Sequence, residues 1–234
     1  EAIKFMASMG KPILLATGAS NQEEVNKAVG AIKEYTNEIV LMQCNTNYSG
    51  SKNNLKNINL NVLKNFQKLF PDLILGLSDH TPGFITVLGS VALGARVIEK
   101  HFTDDNLRNG PDHSFALNPK EWKEMVSYTR DLESSLGDGV KVIEPNEKET
   151  AILQRRSIRA KNTIKAGETL KKENVNFLRP CPRDAIDPSS FKDVEGKELV
   201  NDVSEGDIIR YLDLMWTKVN IKMITKTDRV LVTG

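Results

Sequence analysis

Short apolar runs alternate with longer stretches in which apolar residues recur every three or four positions. The runs PILLAT (12–17), IVLMQC (39–44), LILGL (73–77) and RVIEK (96–100) read as strands. Between them, helical spacing predicts one helix from Gln22 to Tyr35 and a second through Leu60, Val62, Leu63, Phe66 and Leu69. A third runs through Phe84, Val87, Leu88, Val91 and Leu93, and a fourth opens at Asn118, Pro119 and Glu121 and lasts to about Leu136. Ser20 followed by Glu23 has the spacing of a capping box for the first helix, and Thr81 with Pro82 supplies a start for the third. Four βα units thus occupy residues 1–137. Strands nearly continuous in Val, Ile and Leu imply burial on both faces, so the expected fold is α/β with a parallel sheet covered by these helices.

Four strands cannot close an eight-stranded barrel. The alternatives are an open sheet or the second half of a larger barrel. The opening EAIKFMASMG reads as the end of a helix already under way with no strand before it, which favours the second option and predicts that the sequence lacks an N-terminal part.

Past Gly137 the texture changes. Residues 138–153 contain Gly, Asp, Glu and Pro and read as a linker, followed by short runs separated by turns. TIKAGETLKKENV and DVSEGDIIRYLDL share one spacing, with Ile164, Gly167 and Leu170 matching Val203, Gly206 and Ile209. Such a weak repeat suits a small, turn-rich, pseudo-symmetric β domain. The tail, 215–234, ends in KTDRVLVTG, which reads as an ordinary strand rather than a nucleotide-binding start, so no nicotinamide cofactor is expected.

Composition narrows the partners. Charged residues make up 27% of the chain at a formal net charge of +1, with no basic stripe and no acidic tail, which argues against nucleic acid and for small molecules or a second copy of the chain. Cys44 and Cys181 form no CxxC or zinc spacing and are too few for a disulfide framework, as expected in a reducing compartment. No apolar stretch has membrane-spanning length and no signal-peptide pattern is present, so the expectation is a soluble, cytoplasmic protein without membrane contact.

The candidate chemistry lies at two strand ends. His80 closes LILGLSDHT and His101 closes ARVIEKHFTDD, in a chain with 3 histidines. Asp79 stands beside the first and Glu99 two residues before the second. A single strand-end histidine is commonly a hydrogen-bonded structural residue, but two at successive strand ends point to a metal or an acid/base site.

Four ordered motifs carry a resemblance: GLSDHT (76–81), EKHFTDD (99–105) with GPDHSF (110–115), QRRSI (154–158) and FLRP (177–180). From about residue 1 to residue 214 the chain resembles the sialic acid synthase family, whose members condense phosphoenolpyruvate with an N-acylated amino sugar. The resemblance implies a TIM barrel followed by a small antifreeze-like (SAF) domain. The four βα units would be barrel units five to eight, and residues 154–214 the SAF domain. It also implies that His80 and His101 ligate a divalent ion, usually Mn2+, with Mg2+ or Co2+ as alternatives. Glu99 falls near the reacting centre as a catalytic candidate, with a salt bridge to a cation as the alternative.

For phosphoenolpyruvate the resemblance implies Ser78, and Thr46 in CNTNYS (44–49); for the sugar it implies Tyr48, Asp112 and Arg179, the last reaching a neighbouring subunit in a domain-swapped homodimer. Ordinary alternatives exist for three of them: a backbone-bonded serine, a turn aspartate and a surface arginine. The sequence departs from the family pattern at Ala16, where a phosphate-holding hydroxyl is usual, and at Thr46, where asparagine is common. The family's phosphate-binding lysines and its N-terminal glutamate belong to the first half of the barrel, and Lys11 and Lys100 are not assigned to replace them. Two other functions stay open: another phosphoenolpyruvate-dependent aldol-type sugar-acid synthase, and a non-catalytic carbohydrate-binding remnant.

Overall fold

The computed structural model describes residues 1–216, so the predicted strand at 226–234 lies outside the described residues. The chain divides into two compact units, the first spanning Glu1–Val140 and the second starting at Lys141.

The first unit is a parallel α/β sheet. Its elements run α1 (Ala2–Ser8), β1 (Ile13–Ala16), α2 (Gln22–Lys33), β2 (Ile39–Cys44), α3 (Val62–Leu69), β3 (Ile74–Asp79), α4 (Ile85–Ala92), β4 (Val97–Lys100) and α5 (Pro119–Leu136). The strands lie side by side in chain order, β1-β2-β3-β4, all parallel. In α2 the residues Val25, Val29 and Ile32 form one buried stripe, packed with Leu41, Leu63, Phe66 and Leu75 into the core between sheet and helices. A smaller cluster joins Leu77 of β3, Val87 of α4 and Met125 of α5 with Leu117.

Three expectations need correction. The capping box of α2 is formed one residue later than the spacing suggested: Asn21 accepts from the Glu24 amide and its own amide donates to the Glu24 carboxylate, at 3.0 and 2.8 Å. Asn21 has the extended backbone of a cap, whereas the Ser20 hydroxyl donates to the Gly18 carbonyl. Next, α4 begins at Ile85 rather than behind Thr81 and Pro82. The Thr81 amide and hydroxyl are both bonded to the Asp79 carboxylate, and a turn stands where the first helical turn was expected. Finally, only β2 is buried along its whole length. Leu14 and Ile74 keep 56% and 52% exposure on the sheet face away from the helices, because no described element covers that face there.

The second unit contains α6 (Lys148–Gln154), β5 (Ser157–Ala160), β6 (Val175–Leu178) and α7 (Phe191–Val194), with β5 and β6 antiparallel. Helix α6 lies, but for its last residue, inside the segment read as a linker. The internal repeat has a structural counterpart. Ile164 and Val203 exchange two backbone hydrogen bonds of 2.9 Å, and Gly167 and Gly206 both adopt a φ of +82°, which an L side chain tolerates poorly. The matched apolar residues Ile164, Leu170, Val203 and Ile209 all sit in the core of this unit. No helix among the described residues is long and apolar enough to cross a membrane.

Candidate functional site

Parallel register decides what each strand end presents. Cys44, Ser78 and Glu99 are neighbours across β2, β3 and β4 on the face away from the helices. One residue on, Asp79 and Lys100 pair on the helix-covered face, where α4 contributes Thr86 to the same cluster. The strands end there, and His80 and His101 follow directly.

His80 is buried, with 5% exposure. Its Nδ1 lies 2.9 Å from the Asn45 carbonyl oxygen. A carbonyl can only accept, so Nδ1 carries a proton, and in the neutral ring the lone pair is then on Nε2. The His101 ring centroid is 5.2 Å away, and its Nδ1 lies 3.7 Å from an Asp112 carboxylate oxygen, too long for a hydrogen bond. Tyr48 packs against both rings, at centroid distances of 4.1 Å from His80 and 5.7 Å from His101, and Phe115 closes the other side of His101 at 5.2 Å.

The structure brings seven of the eight candidate residues to one end of one sheet. Tyr48, His80, His101 and Asp112 form a contiguous group. Ser78 lies buried below them and Glu99 is exposed next to it in register. Among the described residues Glu99 has no ion-pair partner. Burial pushes the Cys44 thiol up, the negative charge of Glu99 acts in the same sense, and the Ser78 hydroxyl opposes them.

Thr46 is exposed and lines a cavity of about 650 Å³ with Thr17, Ser20, Gln43, Asn45 and Asn47; no charged side chain lines it. Gly18 permits the β1 loop to approach, since a Cβ there would stand 2.2 Å from the Thr46 methyl. Thr17, beside Ala16, spends its hydroxyl on the Met42 carbonyl at 2.8 Å, so it does not supply the hydroxyl that Ala16 lacks. Arg179, exposed just after β6, belongs to the second unit.

Three participants escaped the sequence reading. The Asn45 carbonyl is a backbone group in a loop and leaves no signal in residue type. Phe115 reaches His101 from a loop that only the fold brings near. Lys100 did leave a signal: an acidic residue precedes one strand-end histidine and a basic residue precedes the other, a charge match that parallel register turns into a pair.

Among the described residues, no three His, Cys, Asp or Glu side chains cluster closely enough to hold an ion by themselves. Two imidazoles, one with its Nε2 lone pair left open, nevertheless fit a first-row divalent ion that keeps positions free for water or substrate.

Comparison gives a family to this arrangement of a parallel α/β sheet with a polar cluster at its strand ends, followed by a small bridge-rich domain. Residues 1–141 match the NeuB family and residues 155–215 the SAF domain, and the chain belongs to the NeuB family. It is 39% identical to an uncharacterized protein of Methanocaldococcus jannaschii, over 91% of this chain and 62% of that protein. It is 34% identical to the N,N'-diacetyllegionaminic acid synthase of Campylobacter jejuni, over 89% of this chain and 61% of the relative. Among solved structures, the N-acetylneuraminic acid (sialic acid) synthetase of Leptospira borgpetersenii matches with a TM-score of 0.58 and 28% identity, covering 64% of this chain and 51% of that one. The chain therefore spans about three fifths of the length of the curated relatives it matches.

Proposed function

We propose that this chain carries part of the active site of a nonulosonic acid synthase, which joins phosphoenolpyruvate to an N-acylated mannosamine-type sugar. The observation that carries this reading is the imidazole pair, with the His80 tautomer fixed by Asn45 and a hydroxyl and a carboxylate, Ser78 and Glu99, beneath it. The sheet would be barrel units five to eight of the whole protein.

In this reading His80 and His101 would hold a divalent ion, Mn2+ foremost, and that ion would supply Lewis acidity toward the sugar's carbonyl oxygen. C3 of phosphoenolpyruvate forms a bond to the sugar's aldehyde carbon. Water adds at C2, and phosphate departs with cleavage of the bond between C2 and its oxygen. Glu99 stands on the open face, where its carboxylate can take a proton from that water. Ser78 donates to an oxygen of phosphoenolpyruvate, and Thr46 offers a second hydroxyl from the β2 loop. Tyr48 and Asp112 flank the imidazoles and hold the sugar's hydroxyl groups. Arg179 would grip the N-acyl oxygen from a second copy of the chain in a domain-swapped dimer. Lys100 does not take part in phosphate binding, since its ammonium is spent on Asp79.

The test uses the full-length protein with phosphoenolpyruvate, 2-acetamido-mannose and Mn2+, scored by phosphate release. Release that stops on chelation and drops at least about a hundredfold in His80→Ala is expected for loss of a metal ligand, beyond what losing a hydrogen-bond partner of a ligand costs. Release indifferent to both would sink the metal assignment. Faster turnover of a phosphorylated acceptor would move the reading to a sugar-phosphate synthase.

A further inference from the structure

Asp79 and Lys100 form an ion pair at 2.6 Å in which both side chains retain only 1% exposure. The Asp79 carboxylate also accepts from the Thr81 amide at 3.1 Å, the Thr81 hydroxyl at 3.0 Å and the Thr86 hydroxyl at 2.7 Å. The Lys100 ammonium donates a second time, to the Thr81 carbonyl at 2.5 Å. No other ion pair among the described residues is buried in this way, and in the remaining pairs both side chains keep at least 27% exposure.

Burying two charges does not by itself favour folding, because desolvation offsets their attraction; apolar replacements of similar volume are frequently neutral or stabilising. What this pair provides beyond stability is visible in where its bonds go. The ammonium sits one residue before His101 and holds residues 79 and 81, the two neighbours of His80. Both flanks of one imidazole are thereby fixed to the strand that carries the other. The carboxylate adds the turn into α4 through Thr81 and Thr86, so the backbone of His80 has little freedom to shift along or across the sheet.

We infer that Asp79 and Lys100 are positioning residues that set the spacing of the His80 and His101 rings from beneath the site, without touching substrate. The consequence for ion binding rests on the proposed function; the consequence for ring spacing does not. With the rings free to drift, two imidazoles no longer converge on one ion, and loss of such supporting partners typically lowers metal affinity about 10- to 100-fold.

Lys100→Met alone leaves a buried carboxylate uncompensated and is expected to unfold much of the unit. The informative variant is therefore Asp79→Asn combined with Lys100→Met, which removes both charges and keeps the volume. In the full-length, metal-free protein, NMR contacts between the ring protons of His80 and His101 should be strong in the wild type and lost in the folded double variant. Mn2+ affinity, read by electron paramagnetic resonance, should fall about 10- to 100-fold. Unchanged ring contacts and unchanged Mn2+ affinity in a folded double variant would overturn the inference. A wild type that binds no Mn2+ while the variant still loses its ring contacts would overturn the metal reading and leave the positioning role standing. Should the double variant not fold, Thr86→Val removes one donor to Asp79: weakened ring contacts support the role, and unaltered ones reject it.

Discussion

From the end of β3 into α4 the chain buries Ser78, Asp79, His80, Thr81 and Thr86, whereas the buried polar residue of the second unit, among those described, is Ser157. Ser157 is simply satisfied, donating to the Pro180 carbonyl at 2.7 Å. Most of the rest of that interior is hydrocarbon, with Ile158, Ile164, Leu170, Ile186, Val194 and Ile209 fully buried, and the Arg159 Nε is buried there without a hydrogen-bond partner among the described residues. One unit is held by shape and exclusion of water, and the other adds a buried polar network to a similar apolar layer. Such a network is tolerable only when its members are satisfied, and it then specifies geometry more than it adds stability.

The contrast breaks most readily in the second unit. Ile209→Ala should cost about 2–5 kcal/mol, because its neighbours relax only partly around the lost volume, and chemical denaturation followed by amide exchange in this unit will show it. A cost below about 1 kcal/mol would mean that this core is looser than its burial implies. In the first unit, Thr86→Val keeps the volume but deletes a hydroxyl bonded to a carboxylate, for an expected loss of about 1.5–3 kcal/mol in thermal unfolding. A neutral result would show that Thr81 and Lys100 satisfy Asp79 unaided. Smaller again is Asn118→Ala, which removes the cap of α5 and both of its bonds to the first-turn amides, at 3.1 and 3.0 Å. About 1 kcal/mol is expected by differential scanning calorimetry, and an unchanged midpoint would show that Pro119 and tertiary contacts fix the helix start without the cap.

Much of the first unit is legible in the chain itself, since Val25, Val29 and Ile32, or Leu63 and Phe66, announce a helix face by spacing alone. The start of α4 was not legible, because Thr81 and Pro82 form a good helix-start signal, while the Asp79 carboxylate two residues earlier takes up the Thr81 amide and hydroxyl and holds a turn there instead. The exposure of Leu14 and Ile74 was not legible either: a run rich in Ile and Leu looks the same whether one face is covered or two. At the site, residue type found the imidazoles, but the orientation of His80 depends on a main-chain oxygen, which any residue at position 45 would present. In the second unit the spacing of Gly167 and Gly206 was readable, while their matched positive φ is a property of the turns and not of the letters.

That matched pair of turns has a mechanical consequence. The Gly167 amide is held by the Leu199 carbonyl, and the Gly206 amide by the Ala160 carbonyl, so each turn is fastened by the residue that stands three positions before the opposite repeat segment. The two halves are interlocked rather than stacked. Neither can peel away under load without releasing the other, and the second unit should therefore rupture as a single cooperative event rather than one half at a time.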